Sequence, residues 1–176
     1  SRIEMFAFAM TMALSSVVGP FFGQNWGAKL FVRLDEGLKK SFLFVFFWGV
    51  FIALIFWVFG EALANLFSSE AQVVEVIILY LTLVPIGYGL HGVLALSTGP
   101  LNVLEKPLLA SFLTLTHVFV LFIPLAYYGS SIYQLRGIFA AAAFSKIVSG
   151  TLAFFVVWKV YDSEKTKYNI QLAGKI

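Results

Sequence analysis

The chain has 176 residues, of which 60% are hydrophobic and only 12% are charged, and its formal net charge is +3. Water-soluble domains are about 45–50% apolar and about 25% charged, so this composition argues against a soluble enzyme. The basic residues cluster in short segments and form no stripe with aromatic platforms, which argues against a nucleic-acid partner. No cysteine is present, which excludes disulfides and thiolate chemistry.

Five apolar segments are long enough to cross a membrane, because a hydrocarbon core about 30 Å thick needs about 20 helical residues. In chain order they cover residues 5–26, 41–59, 74–103, 108–128 and 137–158. The sequence therefore predicts an all-α, polytopic membrane helix bundle that is embedded in lipid. Because the chain begins at Ser1 with neither an initiator Met nor a signal peptide, we expect it to be part of a longer protein.

The charges between these segments predict a topology. The stretches after the first and fifth segments are basic and contain Lys29, Arg33, Lys39, Lys40, Lys159, Lys165 and Lys167. Between the second and third segments the only charges are Glu61 and Glu70. Since basic loops stay on the cytoplasmic side, we expect a multi-pass protein of the plasma or inner membrane with a cytoplasmic C-terminus. Residues 29–40 mix leucines with charges, which fits either a short interfacial helix or a plain charged loop.

The third segment is interrupted by Pro85, Gly87 and Gly89 within five residues. Proline removes an amide donor and glycine loosens a helix, so we expect a bent or broken helix there. In transporters such breaks lie where backbone faces a cavity or another helix. A packing kink without any ligand is the alternative.

Four ionisable residues lie within apolar segments, where each is costly unless it is paired or hydrated. Lys146 is central in the fifth segment, about 15 Å from either end at 1.5 Å per residue, so it needs a carboxylate, a hydrated cavity or freed carbonyls. Glu4 either lines a cavity or pairs with Lys146. His91 and His117 suit proton exchange, although a lone histidine is more often an interhelical packing residue.

Catalytic motifs are lacking in the sequence. It contains no Gly-rich phosphate loop, no HExxH, no GxSxG and no carboxylate cluster with metal-ligand spacing. We therefore expect no enzymatic activity, no cofactor and no metal site.

Several stretches resemble one transporter family, in order along the chain. Residues 1–4 and 15–28, the latter reading SSVVGPFFGQNWGA, look like helix eight of the multidrug and toxic compound extrusion (MATE) family. Residues 80–89 and 101–107 resemble helix ten and the loop after it, and residues 124–127 resemble the end of helix eleven. The family has twelve helices in two lobes around a central cavity. The resemblance implies helices eight to twelve of the second lobe, with the first lobe as a missing partner.

The resemblance also bears on individual residues. Some members bind sodium through an aspartate of helix ten, and counting back from Gly99 places His91 at that position. This departure argues against that sodium site and leaves His91 as a proton or substrate contact. The place of His117 often holds arginine in relatives. Tyr88 and Asn102 lie in the matching stretches and are further candidates for the substrate cavity or for ion coupling.

The resemblance implies an antiporter that exports small amphipathic compounds by alternating access, with protons favoured over sodium as the coupling ion. A charged Lys146 in the cavity would repel organic cations, so it either points elsewhere or the substrate is neutral, anionic or lipid-like. Two alternatives remain open. One is a flippase of the same superfamily that moves lipid-linked saccharides, and the other is a membrane interaction protein that transports nothing.

Overall fold

The computed structural model describes residues 2–173, except the side chains of residues 2, 3, 6, 7 and 171–173. At the start of the first family-like stretch, Ser1 and the side chains of residues 2 and 3 therefore lie outside what the structure describes. Within the described range the chain forms four helical segments separated by the short links 28–30, 68–70 and 104–106. The elements are α1 (Arg2–Gly27), α2 (Phe31–Phe67), α3 (Ala71–Leu83), a 3₁₀ turn (Val84–Gly87), α4 (Tyr88–Val103), α5 (Pro107–Leu115), a π-helical turn (Thr116–Phe122) and α6 (Ile123–Ala173).

The last helical segment folds back on itself. Gln134 has φ 53° and ψ −131°, which no helix contains, and it divides α6 into two helices. A methyl group on either Gly129 or Gly137 would collide with the backbone of the other, so the two helices touch beside this turn. Residues 135–173, called the return arm below, therefore run antiparallel to residues 107–133.

The helix α2 buries one continuous stripe of side chains. The buried positions recur every three or four residues, as one face of an α-helix requires: Leu34, Leu38, Phe42, Val45, Gly49, Ala53, Phe56, Gly60 and Ala64. The stripe starts in the segment for which the sequence allowed a separate interfacial helix or a loop. Residues 31–40 are helical, so the plain loop is wrong, and they continue directly into the rest of α2 instead of forming a separate short helix.

The helix α4 is the centre of the bundle. It contacts α1, α2 and the return arm, and at each contact a glycine allows a close backbone approach. Gly49 of α2 meets the backbone of Gly89, and Gly19 of α1 meets Gly99. Gly150 of the return arm meets the carbonyl group of Leu90. Small residues commonly allow membrane helices to pack in this way.

The predicted break in the third segment is confirmed. The chain leaves α-helical geometry at Val84–Gly87, with Pro85 near the start of the 3₁₀ turn, and resumes it at Tyr88. The helix α1 and the helix α4 end alike, because Lys29 and Glu105 each have φ 59°. In both cases the next amide reaches back to the last helical turn, which satisfies carbonyl groups at the helix end.

Three helices among the described residues are long and apolar enough to cross a membrane, judged by length and composition. They are Phe31–Phe67, Ala71–Val103 and Pro107–Ile170, the last of which contains the turn at Gln134. The first predicted span, residues 5–26, is helical but is not one of these three. The helical membrane architecture is therefore confirmed, whereas the count of five crossings stays a prediction.

The basic segments gather at one end of the bundle, called the basic end below. There Lys165 lies 2.9 Å from Asp35, and Lys106 lies 3.7 Å from Glu164. The Lys29 ammonium lies 4.0 Å from the centre of the Tyr168 ring. These contacts join the α1–α2 and α4–α5 links to the return arm, as the predicted topology requires, and the orientation in the membrane stays a prediction.

Candidate coupling and substrate site

A carboxylate and an ammonium group meet inside the bundle. Lys146 of the return arm places Nζ 3.8 Å from the carboxylate of Glu4 on α1, with side chains 12% and 23% exposed, respectively. The Tyr88 hydroxyl of α4 donates a hydrogen bond of 3.1 Å to the same carboxylate. The ion pair therefore joins α1 to the return arm, and the hydrogen bond from Tyr88 joins both to α4.

Aromatic rings enclose this ion pair. The Lys146 ammonium lies 4.8 Å from the centre of the Tyr88 ring and 5.9 Å from that of Phe8. Tyr80 lies beside Glu4, and the Tyr80 ring packs edge-on against Phe139 at 5.3 Å. Ring faces attract a cation, so the pair is stabilised where water is scarce.

Two histidines lie next to this pair. The rings of His91 and His117 are 5.3 Å apart, and Phe8 packs edge-on against His91 at 5.4 Å. His117 Nδ1 lies 3.0 Å from the hydroxyl of Ser149 and 3.3 Å from the carbonyl oxygen of Ser145. His91 Nδ1 is buried and has no hydrogen-bond partner among the described residues.

Irregular helices bring these groups together. A methyl group on Gly87 would lie 2.6 Å from Cβ of Lys146, so the 3₁₀ turn passes directly against the return arm. Tyr88 and His91 follow that turn on one face of α4, since residues three apart are neighbours on a helix. His117 lies in the π-helical turn, and Pro124 just after it cannot donate to the helix ladder. Such π-helical turns often occur at functional sites.

Five of the six predicted candidates gather in this cluster, namely Glu4, Tyr88, His91, His117 and Lys146. The sixth, Asn102, is exposed at the far end of α4, eleven residues after His91 and so about 16 Å along the helix. Pro85 and Gly87 lie in the break beside the cluster, as predicted, whereas Gly89 lies in α4 just after the break, where it meets Gly49 of α2. The structure thus shows where these side chains lie, and their roles stay predictions.

Sequence reasoning missed three residues of the cluster: Phe8, Tyr80 and Ser149. Phe8 is one of twenty phenylalanines, so nothing in the sequence distinguishes it from the other nineteen. Ser149 is buried and lies one turn after Lys146 on the same helix face. That spacing is the signal that could have identified Ser149, whereas Tyr80 requires the fold itself.

The cluster combines charged groups with groups that bind a proton. It contains one carboxylate, one ammonium and two imidazoles within an apolar bundle, and histidine changes charge near neutral pH. A proton on Glu4 would leave Lys146 without a counter-charge, which the surroundings disfavour. The net charge of the cluster therefore changes with the protonation of its side chains.

Comparisons with known proteins agree with this architecture. The MatE family model matches residues 1–128. The chain is 30% identical over 167 residues to the FAD transporter of Shewanella oneidensis, an alignment that covers 94% of this chain and 36% of that protein. The crystal structure of the Vibrio cholerae MATE transporter VcmN in the bent form is similar with a TM-score of 0.89 and 30% identity, over 94% of this chain and 38% of that one.

More distant structures share the fold alone. An outward-facing multidrug resistance MATE family transporter of the MOP superfamily gives a TM-score of 0.84 at 16% identity, over 94% of this chain and 38% of that one. The chain thus spans little more than a third of the length of the relatives that it matches. With more than half of its length matched by the family model, the chain belongs to the MatE family, whose members are multi-pass membrane transporters and not enzymes.

Proposed function

We propose that the chain forms helices eight to twelve, the second lobe, of a twelve-helix antiporter that exports amphipathic small molecules in exchange for protons. In this proposal the five predicted segments all cross the membrane and the basic end faces the cytoplasm. Family membership and the share of the relatives' length that the chain spans support the assignment. Sodium is the second choice of coupling ion.

The observation that carries the proposal is the contact of Glu4 and Lys146 beside the two histidines. Opposite charges 4 Å apart attract by about 4 kcal/mol at an effective dielectric constant of 20, so the pair is sensitive to any change in charge. Protonation of Glu4 or His91 adds a positive charge to a cluster that is otherwise neutral. An organic cation bound nearby is then repelled, and deprotonation restores its binding. Proton binding and cation binding therefore exclude each other, as an antiporter requires.

A second substrate class, anionic aromatic compounds, is favoured by Lys146 and by one relative. The relative from Shewanella oneidensis is described as an FAD transporter. Phosphate groups of such a ligand would interact favourably with Lys146 once Glu4 is protonated. Phe8 and Tyr80, which are only partly buried, provide aromatic rings against which a flat ring system can pack. In this case proton and substrate move in the same step and not in exchange.

Efflux from cells distinguishes the two substrate classes. The complete protein is expressed in a strain without its own efflux pumps, and the release of a cationic amphipathic dye and of FAD is followed with and without a protonophore. Antiport of amphipathic cations predicts dye efflux that the protonophore abolishes. Release of FAD alone would favour the second class, and release of neither would overturn the proposal. Phe155→Ala, which alters a side chain that is 64% exposed, is the control variant.

A further inference from the structure

An apolar groove is open on the surface of the described helices, away from the cluster around Lys146. It has a volume of about 430 Å³ and runs between α2, α4 and the return arm. The close glycine contacts of α4 draw this helix inward, so Leu90 lies at the bottom of the groove. Phe42 and Phe154 touch across the bottom of the groove, with ring centres 5.7 Å apart, and Phe46 and Trp158 line its two sides.

The groove has one polar end. Lys39 lies one helical turn before Phe42 and lines the groove at the basic end, where Trp158 also lies one turn beyond Phe154. Among the described residues Lys40, Lys106, Lys165 and Lys167 each form an ion pair, and no ion pair of Lys39 is found. Its ammonium therefore leaves a positive charge at the mouth of a hydrocarbon-like channel.

The lining and the charge select the occupant. All lining residues except Lys39 are apolar, which suits a hydrocarbon chain with an anionic end. A flexible acyl chain can follow the groove along its length. An anion at the end near Lys39 would complete the match, and tryptophan typically lies at the level of lipid head groups.

We propose that this groove binds one anionic phospholipid, with its phosphate at Lys39 and one acyl chain running past Phe42 and Phe154 towards Leu90. Basic pockets between membrane helices commonly bind anionic head groups. The groove would then recognise the head group by charge and the tail by shape. This inference does not depend on what the protein transports.

Native mass spectrometry of the complete, delipidated protein tests the site. The protein is titrated with dioleoyl phosphatidylglycerol or dioleoyl phosphatidylcholine, and the lipid that remains bound is counted. We expect one tightly held phosphatidylglycerol, and Lys39→Gln should weaken its binding about five-fold, as for the loss of one lysine charge near a membrane surface. Lys40→Gln, which removes a neighbouring charge that already pairs with Glu36, should change it little.

Two further measurements test the groove itself. Leu43 also lines the groove and is 46% exposed, so Leu43→Trp should fill the channel and displace the lipid without disturbing the core. Glycerol phosphate, which has the charge but no tail, should not compete. Four results would each overturn the proposal. They are equal binding of both lipids, equal loss of binding in the Lys39 and Lys40 variants, unchanged binding in Leu43→Trp, and competition by glycerol phosphate. Lys39→Arg should bind as the unaltered protein does, which separates loss of charge from loss of folding.

Discussion

The Lys146 ammonium lies 3.8 Å from the Glu4 carboxylate, and this contact joins α1 to the return arm across the bundle. Tyr88 of α4 donates a hydrogen bond to the same carboxylate and presents its ring to the same ammonium. A charge at this depth is unfavourable alone but tolerable in such a pair. The packing of three helices and the charge balance of the cluster therefore depend on each other.

The ion pair predicts a mutational cycle. Lys146→Met and Glu4→Gln should each lower the free energy of unfolding by about 2 kcal/mol, because each leaves one charge unpaired in a partly buried site. The double variant should recover most of that loss, since it leaves neither charge. Thermal denaturation of the purified complete protein measures both effects. Additive losses in the double variant would mean that the two groups do not interact.

Close packing of α2 on α4 predicts a difference between two glycines. A methyl group on Gly49 would collide with the backbone of Gly89, whereas one on Gly60 would come no nearer than 3.9 Å to Leu81. Gly49→Ala should therefore destabilise the protein by about 1–3 kcal/mol, as overpacked cores do. Gly60→Ala should be neutral or stabilising by up to about 1 kcal/mol, because alanine favours a helix. The melting temperatures of the two variants give the comparison, and equal melting temperatures would show that α2 and α4 are not in this contact.

A hydrogen bond at the basic end predicts the effect of Tyr161→Phe. The Tyr161 hydroxyl donates a 2.7 Å hydrogen bond to Asp35, whose other oxygen lies 2.9 Å from Lys165. Loss of the hydroxyl should lower stability by about 1.5–3 kcal/mol, the usual range for a hydrogen bond to a charged group. The buried ring stays in place, so packing is preserved. Tyr133→Phe, at a ring that is 67% exposed, should leave the melting temperature unchanged, and a similar loss in both variants would contradict the role of Asp35.

Transport should depend on the residues of the cluster more than on the exposed aromatic side chains. His91→Ala and Lys146→Ala should each reduce the initial rate of transport at least about ten-fold, the effect of 1.4 kcal/mol. Phe155→Ala should retain it, because its side chain is exposed on the outside of the return arm. The rates are compared at equal amounts of folded protein in the membrane. Unchanged rates in both cluster variants would reduce His91 and Lys146 to packing residues.

The residues that determine local geometry could be interpreted from the sequence. Pro85 and Gly87 indicated a break in the third segment, and the structure forms a 3₁₀ turn there. The prediction succeeded because both residues change the helix through their own backbone geometry. The central position of Lys146 indicated that it needs a partner. The choice of Glu4 over a hydrated cavity could not be made, since it depends on how α1 packs beside the return arm.

Features that arise from packing were missed for the same reason. The segment 29–40 has an interfacial composition, yet Leu34 and Leu38 belong to the stripe of α2 that is buried in the folded bundle. The π-helical turn that carries His117 extends over only seven residues, and no residue type is specific for it. Asn102 lay in a family-like stretch but is at the far end of α4, because a sequence match does not specify which end of a helix faces a site.

Substrate flux in proteoliposomes tests the central claim most directly. The complete protein is reconstituted with an imposed pH gradient, an imposed sodium gradient or no gradient, and uptake of an amphipathic cation is measured for the unaltered protein and for Glu4→Gln. The account predicts uptake driven by the pH gradient and lost in the variant, with liposomes that lack protein as the baseline. Uptake that ignores both gradients, or that Glu4→Gln leaves unchanged, would contradict it.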